Sequence, residues 1–234
     1  MVSALKKKII GSPGLYKLFV TIGNLKYFFL NSINTKGKGN TVDFGQSVLR
    51  KNVKVKITGS NNTVIIKDNC RLRNTTITIN GNNNRICLEE KVMVYESSTF
   101  NVDGSNTYIT IDRDTTIGSA KLFIGEGDTG IAIGEDCMLS RNITMNTSDY
   151  YSIIATETNE RINPPKSIEI KNHVWIGNNV FVSKGAVIGN NCIIASLTYI
   201  ETNSFENNTI LGGIPAKHIK SGVTWSREKL PYKN

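Results

Sequence analysis

With 234 residues, the chain has the length of one domain with a sizeable core, and with only 8% aromatic residues that core must be mainly aliphatic. The formal net charge of +9 indicates an anionic ligand or surface, but no aromatic-plus-basic recognition motif is present, so nucleic acid is disfavoured as a partner. Four well-separated cysteines lack metal-ligand spacing and form no disulfide pattern, so we expect neither metal nor disulfides, and a cytoplasmic protein.

Residues 1–33 differ from the rest of the chain because they carry none of its repeats. Three lysines at positions 6–8 precede an apolar pair, but Gly11 interrupts the core that a signal peptide needs. The following apolar stretch contains Lys17 and Lys26 and predicts an amphipathic helix rather than a membrane span. Two roles stay open: a cap over the strand edges of the following domain, or a peripheral contact with an anionic membrane surface at the inner face of the cell membrane.

A repeat of 22 residues follows this segment. It places Asn or Asp at positions 40, 62, 84, 106 and 128, in Gly/Asn-rich turns that each precede a short alternating strand. Gly and Asn tolerate the left-handed backbone that a sharp corner requires, and stacked asparagines can form a hydrogen-bonded ladder. The pattern predicts stacked coils rather than a run of unrelated hairpins.

A shorter repeat begins at residue 170. Every sixth residue is a branched aliphatic, and a small or β-branched residue follows four places later. The two sets are Ile170, Ile176, Val182, Ile188, Ile194 and Ile200, and Val174, Val180, Ala186, Cys192 and Thr198. A helix repeats every 3.6 residues and a strand every 2, so neither explains a period of six. Six residues fit one flat side of a solenoid coil, with both sets pointing inward; three sides make about 18 residues, so the 22-residue coils need an enlarged side or corner.

Further motifs flank these hexads. Asn163-Pro164-Pro165-Lys166 precedes them, the string IEIKNHVWIG spans 168–177, and Gly212-Gly213-Ile214-Pro215-Ala216-Lys217 follows them. Together these segments resemble the hexapeptide-repeat acyltransferases, and within that family the bacterial polysaccharide and sugar O-acetyltransferases. The strong match covers about residues 130–220. The resemblance implies an all-β fold, a parallel left-handed β-helix solenoid, with acetyl-coenzyme A as cosubstrate, no metal, and active sites between the subunits of a homotrimer.

The extent of the repeats, together with this resemblance, indicates how the chain is organised. We assign residues 1–33 to an N-terminal helical cap and 34–213 to the β-helix acyltransferase domain. A polar excursion loop at 146–163 leaves the repeat, and 214–234 form a C-terminal tail. Loops that leave a rigid scaffold commonly bind substrate, so the excursion loop is the expected acceptor-binding element.

The resemblance also implies the chemistry. A sugar hydroxyl must lose its proton as it attacks the thioester carbonyl, and histidine is the usual base. In this family that histidine lies in a loop reading roughly Ser-Asp-x-His-Ser-Ile, and the matching string here is SDYYSI at 148–153, so Tyr151 occupies the histidine position. Asp149 is the second candidate catalytic residue, to orient position 151 or to bind a sugar hydroxyl. A free tyrosine ionises near pH 10, so only about one in a thousand carries a phenolate at pH 7.

The other candidate bases are His173 and His218, which do not align with the family histidine and have the ordinary interpretation of polar corner or surface residues. Three interpretations therefore stay open. The chain is a weak or inactive acyltransferase that still binds coenzyme A, or one whose histidine was replaced naturally or by engineering, or an active enzyme that uses Asp149, Tyr151 or His173 in altered geometry.

Cofactor contacts also follow from the resemblance. The candidate cofactor-binding residues are Trp175, Asn178, Ser196, Thr202, Lys217 and Lys220. The tryptophan matches one that borders the active-site tunnel, the next three match positions along the pantetheine arm, and the two lysines match positions that meet the coenzyme A phosphates. Each has a structural alternative, as a corner packing residue, a coil-edge polar residue or a surface lysine.

The sequence thus predicts an acetyl-coenzyme A-dependent O-acetyltransferase that acts on a sugar hydroxyl of a bacterial surface polysaccharide, such as a capsule, or of its precursor. Two alternatives stay open. One is N-acetylation of an amino-sugar nucleotide by the same fold, and the other is a catalytically silent solenoid that binds coenzyme A.

Overall fold

The computed structural model describes residues 12–231, which form a parallel β-solenoid of eight coils. Each coil winds over three flat faces. The first face is an eight-stranded parallel sheet, and the second and third faces together form a 15-stranded sheet, because two ten-residue strands bend around the corner between them. The predicted all-β solenoid is confirmed.

The strands follow one another around the coils in a fixed order of faces. The first face contains β2 (Thr41–Phe44), β4 (Thr63–Ile66), β6 (Arg85–Leu88), β9 (Tyr108–Ile111), β12 (Gly130–Ile133), β15 (Ile168–Ile170), β18 (Val187–Ile188) and β21 (Ser204–Phe205). The second contains β7 (Met93–Val94), β10 (Thr116–Ile117), β13 (Met138–Leu139), β16 (Trp175–Ile176), β19 (Ile193–Ile194) and β22 (Thr209–Gly212). The third contains β1 (Ser32–Lys36), β8 (Ser98–Asp103), β11 (Ala120–Ile124), β14 (Ile143–Asn146), β17 (Phe181–Val182) and β20 (Tyr199–Ile200). β3 (Leu49–Thr58) and β5 (Arg71–Asn80) serve the second and third faces, and β23 (Lys217–Ser221) pairs antiparallel with β22.

The core runs along the axis of the solenoid. Every inward position predicted from the hexads is buried. Ile170 lies in register with Ile188, and Ile176 with Ile194, so identical positions stack from coil to coil as predicted. Burying each such side chain contributes about 1.5–3 kcal/mol, which explains why the hexad pattern determines the fold.

The asparagine ladder has a register different from the predicted one. Two columns run side by side along the corner between the third and first faces: Asn40, Asn62, Asn84 and Thr107, and Asn61, Asn83, Asn106 and Asp128. The prediction that Asn106 and Asp128 continue the Asn84 column is therefore wrong. Thr107 follows Asn84 by 23 residues, and this one-residue insertion moves Asn106 into the neighbouring column.

A helix covers the first coil. α1 (Pro13–Lys26) is followed by a 3₁₀ turn at Phe28–Leu30. Buried Tyr16 and Val20 face the solenoid, and the Asn24 side chain accepts a hydrogen bond from the β3 backbone N–H of Arg50 at 2.9 Å. This face of α1 thus shields the end of the core from water.

Segment boundaries differ slightly from the predicted ones. β1 begins at Ser32, inside the segment assigned to the cap, and the excursion loop spans 147–167. The lysines at 6–8 lie outside the described residues. No helix within 12–231 is long and apolar enough to cross a bilayer.

Candidate functional site

The excursion loop leaves the solenoid at the corner between the third and first faces, and hydrogen bonds fasten its base. Arg161 donates both guanidinium NH groups to Glu126, at 2.6 and 2.7 Å, and the Ser148 hydroxyl donates to the same carboxylate at 2.8 Å. Arg161 also donates from Nε to the side-chain oxygen of Asn163 at 3.1 Å. These contacts tie the two ends of the loop together.

Buried Asn163 links this base to the first part of the loop, residues 149–151. Its amide donates to Asp149 Oδ2 and to the Tyr151 carbonyl, both at 2.8 Å, and Lys184 Nζ donates to the same Asp149 oxygen at 2.6 Å. The hydrogen bond from Lys184, followed by that from Asn163, lowers the pKa of Asp149. A carboxylate held in this way is suited to positioning the loop and poorly suited to accepting a proton at neutral pH.

Tyr151 precedes a short hairpin in which Ile154 pairs with Arg161 and the chain turns at 156–159, and 83% of the Tyr151 surface is exposed. Its backbone N–H donates to the Asp149 carbonyl at 2.7 Å across Tyr150, whose φ is +63°, which makes a γ-turn in a backbone region that bulky residues rarely adopt. The Tyr150 ring covers Gly125, where a Cβ would lie only 2.8 Å from the ring. The surrounding packing therefore holds an unfavourable turn, and the turn presents position 151 outward.

Acid should release this loop before the solenoid unfolds. Arg161 lowers the pKa of Glu126, and Lys184 lowers that of Asp149, from ordinary values of 4.5 and 3.8. A carboxyl group whose pKa is lower in the folded state stabilises the folded loop at pH values above its ordinary pKa. That stabilisation is lost as the pH falls from the ordinary pKa through the lower pKa of the folded state. We expect hydrogen exchange of 147–167, corrected for intrinsic rates, to accelerate below about pH 4 while β5 stays protected. Loop protection that is equal at neutral and acidic pH would contradict this.

His173 lies at another corner, between β15 and β16, with a φ of +55°. Its Nδ1 lies 2.7 Å from Asp136 Oδ2, and its Nε2 lies 3.0 Å from the Trp225 carbonyl oxygen. The ring stacks on Trp225, with centroids 4.4 Å apart. Because both ring nitrogens face acceptors, His173 holds the C-terminal tail and is not poised as a base.

Arg227 completes this attachment of the tail. It donates from Nε to Asp136 Oδ1 at 2.8 Å and from Nη1 to the Thr116 hydroxyl at 3.0 Å. Burial raises the pKa of Asp136, but the hydrogen bonds from Arg227 and His173 together outweigh it, so the pKa is lowered. The sequence analysis did not identify Trp225 or Arg227 as contact residues. The one sequence feature that could have indicated the contact is a large aromatic residue, Trp225, in a short tail without repeats.

Trp225→Ala should detach the tail. The change removes the stack on His173 and the hydrogen bond from the indole N–H to the His173 carbonyl, 2.8 Å long. We expect limited proteolysis after residue 222 to accelerate by about tenfold or more, since loss of about 1.4 kcal/mol of local stability opens the segment ten times as often. Leu230→Ala, at an exposed position of the same tail, is the matched control. Equal cleavage of both variants and the parent would contradict the role given to Trp225.

The candidate cofactor residues fall into two groups. Trp175 lies on the second face, with its indole N–H 3.4 Å from the Ser140 hydroxyl. Asn178 and Ser196 are successive rungs at the corner between the second and third faces, where the Asn178 backbone N–H donates to Ser196 Oγ at 3.0 Å and Asn178 Oδ1 accepts from the Arg141 backbone at the same distance. These three candidates therefore lie on the second face of the solenoid or at its edge with the third face.

The remaining candidates lie elsewhere. The Thr202 hydroxyl donates to the Lys184 carbonyl, at the corner where the loop emerges. Lys217 and Lys220 are exposed on β23, opposite Gly212 and Ile210. The width of the third face thus separates Tyr151, Asp149 and Thr202 from the Asn178 edge. Within 12–231, no group of three His, Cys, Asp or Glu side chains is arranged to hold a metal ion.

Stacked hexad coils with a loop at one edge define a hexapeptide-repeat transferase scaffold. The family model for bacterial transferase hexapeptide (six repeats) matches residues 167–202. Polysialic acid O-acetyltransferase of Neisseria meningitidis is 33% identical over 124 residues, which cover 53% of this chain and 57% of the relative. Polysialic acid O-acetyltransferase of Escherichia coli O1:K1 / APEC is 32% identical over 119 residues, which cover 51% of this chain and 38% of the relative. The matched region thus spans about half the length of these curated relatives.

Two solved structures match nearly the whole chain. The polySia-specific acetyltransferase NeuO superimposes with a TM-score of 0.79 at 28% identity, covering 86% of this chain and 90% of that one. The polysialic acid O-acetyltransferase OatWY superimposes with a TM-score of 0.73 at 30% identity, covering 85% of this chain and 93% of that one. The chain belongs to the hexapeptide-repeat, left-handed β-helix acyltransferase family, and the relatives described above are bacterial polysaccharide O-acetyltransferases.

Proposed function

We propose that this protein takes the acetyl group of acetyl-coenzyme A and transfers it to a sugar hydroxyl of a bacterial surface polysaccharide. The observation that carries the proposal is the similarity of 85–86% of the chain to two acetyltransferases whose names give polysialic acid as acceptor. Family membership supports acetyl-coenzyme A as donor. The net charge of +9 fits an acidic polysaccharide.

The reaction moves one proton from the sugar hydroxyl to the base at position 151, and the base then gives that proton to the leaving sulfur. The sugar hydroxyl oxygen bonds to the thioester carbonyl carbon as its proton leaves, and the carbon–sulfur bond then breaks, so that a protonated coenzyme A thiol and an O-acetyl ester result. Tyr151 occupies the base position in this proposal. Asp149 and Asn163 fix the backbone around it through the 2.8 Å hydrogen bonds described above. A phenol in place of an imidazole makes this transfer slow.

A second copy of the chain completes the site in this proposal. Tyr151 lies at the corner between the third and first faces, whereas Trp175 lies on the second face, so one chain does not bring them together. A neighbouring copy that presents its Trp175 side to the loop forms the crevice for the acyl carrier, in the trimer that the resemblance implies. Sedimentation velocity should give a trimer, and a monomer at micromolar concentration would argue against a shared site.

One observation favours a silent coenzyme A-binding solenoid as the second candidate. Neither histidine lies in the excursion loop, since His173 holds the tail and His218 Nε2 lies 2.7 Å from the Ser221 hydroxyl. Thermal stabilisation by coenzyme A without any turnover would indicate this function.

Labelled acetyl-coenzyme A tests these functions together. The full chain is incubated with the labelled donor and either acidic polysaccharide fragments or an amino-sugar nucleotide. We expect label on the polysaccharide that mild alkali removes, because esters hydrolyse and amides persist under those conditions. Alkali-stable label on the nucleotide would indicate N-acetylation, and the absence of label would contradict the proposed transfer.

A further inference from the structure

The outer face of α1 is apolar although its side chains are largely exposed. Its exposed side chains, with those of the 3₁₀ turn, form a stripe that we call the outer stripe: Leu15, Leu18, Ile22, Leu25, Phe28 and Phe29. They are 43–95% exposed, and the four that lie on α1 follow one another at helical spacing, opposite the buried pair Tyr16 and Val20. A cap needs only one apolar face, so the cap role leaves the outer stripe unexplained.

The N-terminal part of the sequence that contains this stripe is basic. Residues 1–42 contain seven lysines and no acidic residue, and Asp43 is the first acidic residue of the chain. Exposed Lys26 and Lys51 lie 5.8 and 5.2 Å from the centre of the Tyr27 ring, at the end of α1. An apolar stripe flanked by cations is the arrangement with which amphipathic helices lie in the surface of an anionic membrane.

A groove at the end of the stripe adds a further cation. Leu25, Phe28, Phe29 and Ile33 line it together with Arg50, and its volume is about 610 Å³. Arg50 Nε is buried without a hydrogen-bond partner in the described part of the chain, and the guanidinium lies 4.5 Å from the centre of the Phe44 ring. A cation beside apolar walls suits an anionic headgroup with an attached hydrocarbon chain.

We propose that the outer stripe docks the protein on an anionic lipid bilayer. A second copy of the same face is the competing occupant. Such a pair would bring two lysine-rich segments together, and residues 1–42 supply no acidic partner for either of them. An anionic leaflet neutralises the same lysines while the stripe enters its surface, so charge complementarity selects the lipid.

Vesicle flotation of the full chain tests this docking. Vesicles of phosphatidylglycerol mixed with phosphatidylcholine should carry the protein, vesicles of phosphatidylcholine alone should carry much less, and added salt should weaken the binding. The triple variant Leu18→Gln, Ile22→Gln, Leu25→Gln should lose about a hundredfold in partition, and it leaves Tyr16 and Val20 untouched. Lys26→Gln should lose about fivefold on anionic vesicles only.

The matched control is Leu230→Gln, at an exposed position of the tail, which should float like the parent. Circular dichroism and acetyl transfer to a soluble acceptor should be unchanged in the triple variant, so failure of docking leaves the proposed function standing. The docking proposal is contradicted if the parent protein does not bind anionic vesicles, or if the triple variant binds them as strongly as the parent does. It is also wrong if the triple variant dissociates an oligomer in lipid-free buffer, since the stripe is then a contact between copies.

Discussion

Tyr151→His is expected to raise acetyl transfer to a polysaccharide acceptor by about 10²–10⁴-fold. The loop already holds position 151 in place, since Asn163 binds its carbonyl and the γ-turn over Tyr150 presents it outward. An imidazole at position 151 supplies a base that is largely available near neutral pH, whereas a free phenol ionises only near pH 10. The measurement is kcat/KM for the acceptor, with the parent and the variant assayed side by side.

Two controls make this result specific. Tyr150→His places an imidazole one residue away, at the centre of the γ-turn, and should give no gain. Tyr151→Phe removes the phenol hydroxyl alone, and a further drop in rate would show that this hydroxyl contributes to transfer. If Tyr151→His gives no gain while acetyl-coenzyme A affinity is unchanged, position 151 is not the base position.

Phe100→Ala is expected to lower the free energy of unfolding by about 3–5 kcal/mol. Phe100 lies on β8, fully buried between Ile77 of β5 and Leu122 of β11, so truncation leaves a cavity that the stacked coils cannot close. Chemical denaturation measures the loss. Phe29→Ala is the matched control: its side chain is 95% exposed, and we expect a change within about 0.5 kcal/mol. Similar losses in both variants would contradict the account of the core.

The solenoid could be predicted because a period of six assigns each aliphatic to one inward position. Ile188 and Ile194 are buried where the period places them. The ladder prediction failed after Asn84 for a physical reason. A one-residue insertion before Thr107 puts Thr107, and not Asn106, above Asn84. Asn106 instead joins the neighbouring column above Asn83, but it still lies 22 residues after Asn84 in the sequence, so the spacing hides the change. Only the hydrogen-bond register reveals which column each residue joins.

The candidate site was less predictable because it depends on contacts far apart in sequence. Trp225 meets His173 across 52 residues, and no repeat links them. Asn163 was part of a quoted motif, but its role as the link between Asp149 and the Tyr151 carbonyl depends on how the loop folds back. Both apolar faces of α1 lie in one continuous apolar stretch, so the sequence left the cap and membrane roles open as alternatives.

Calorimetric titration of acetyl-coenzyme A into the unaltered protein is the most direct test of the claim that this solenoid is an acyl-carrier scaffold. We predict saturable binding of one acetyl-coenzyme A per chain, weakened by Trp175→Ala and unchanged by Tyr151→His. Absence of heat and of thermal stabilisation at acetyl-coenzyme A concentrations of about 1 mM would contradict it.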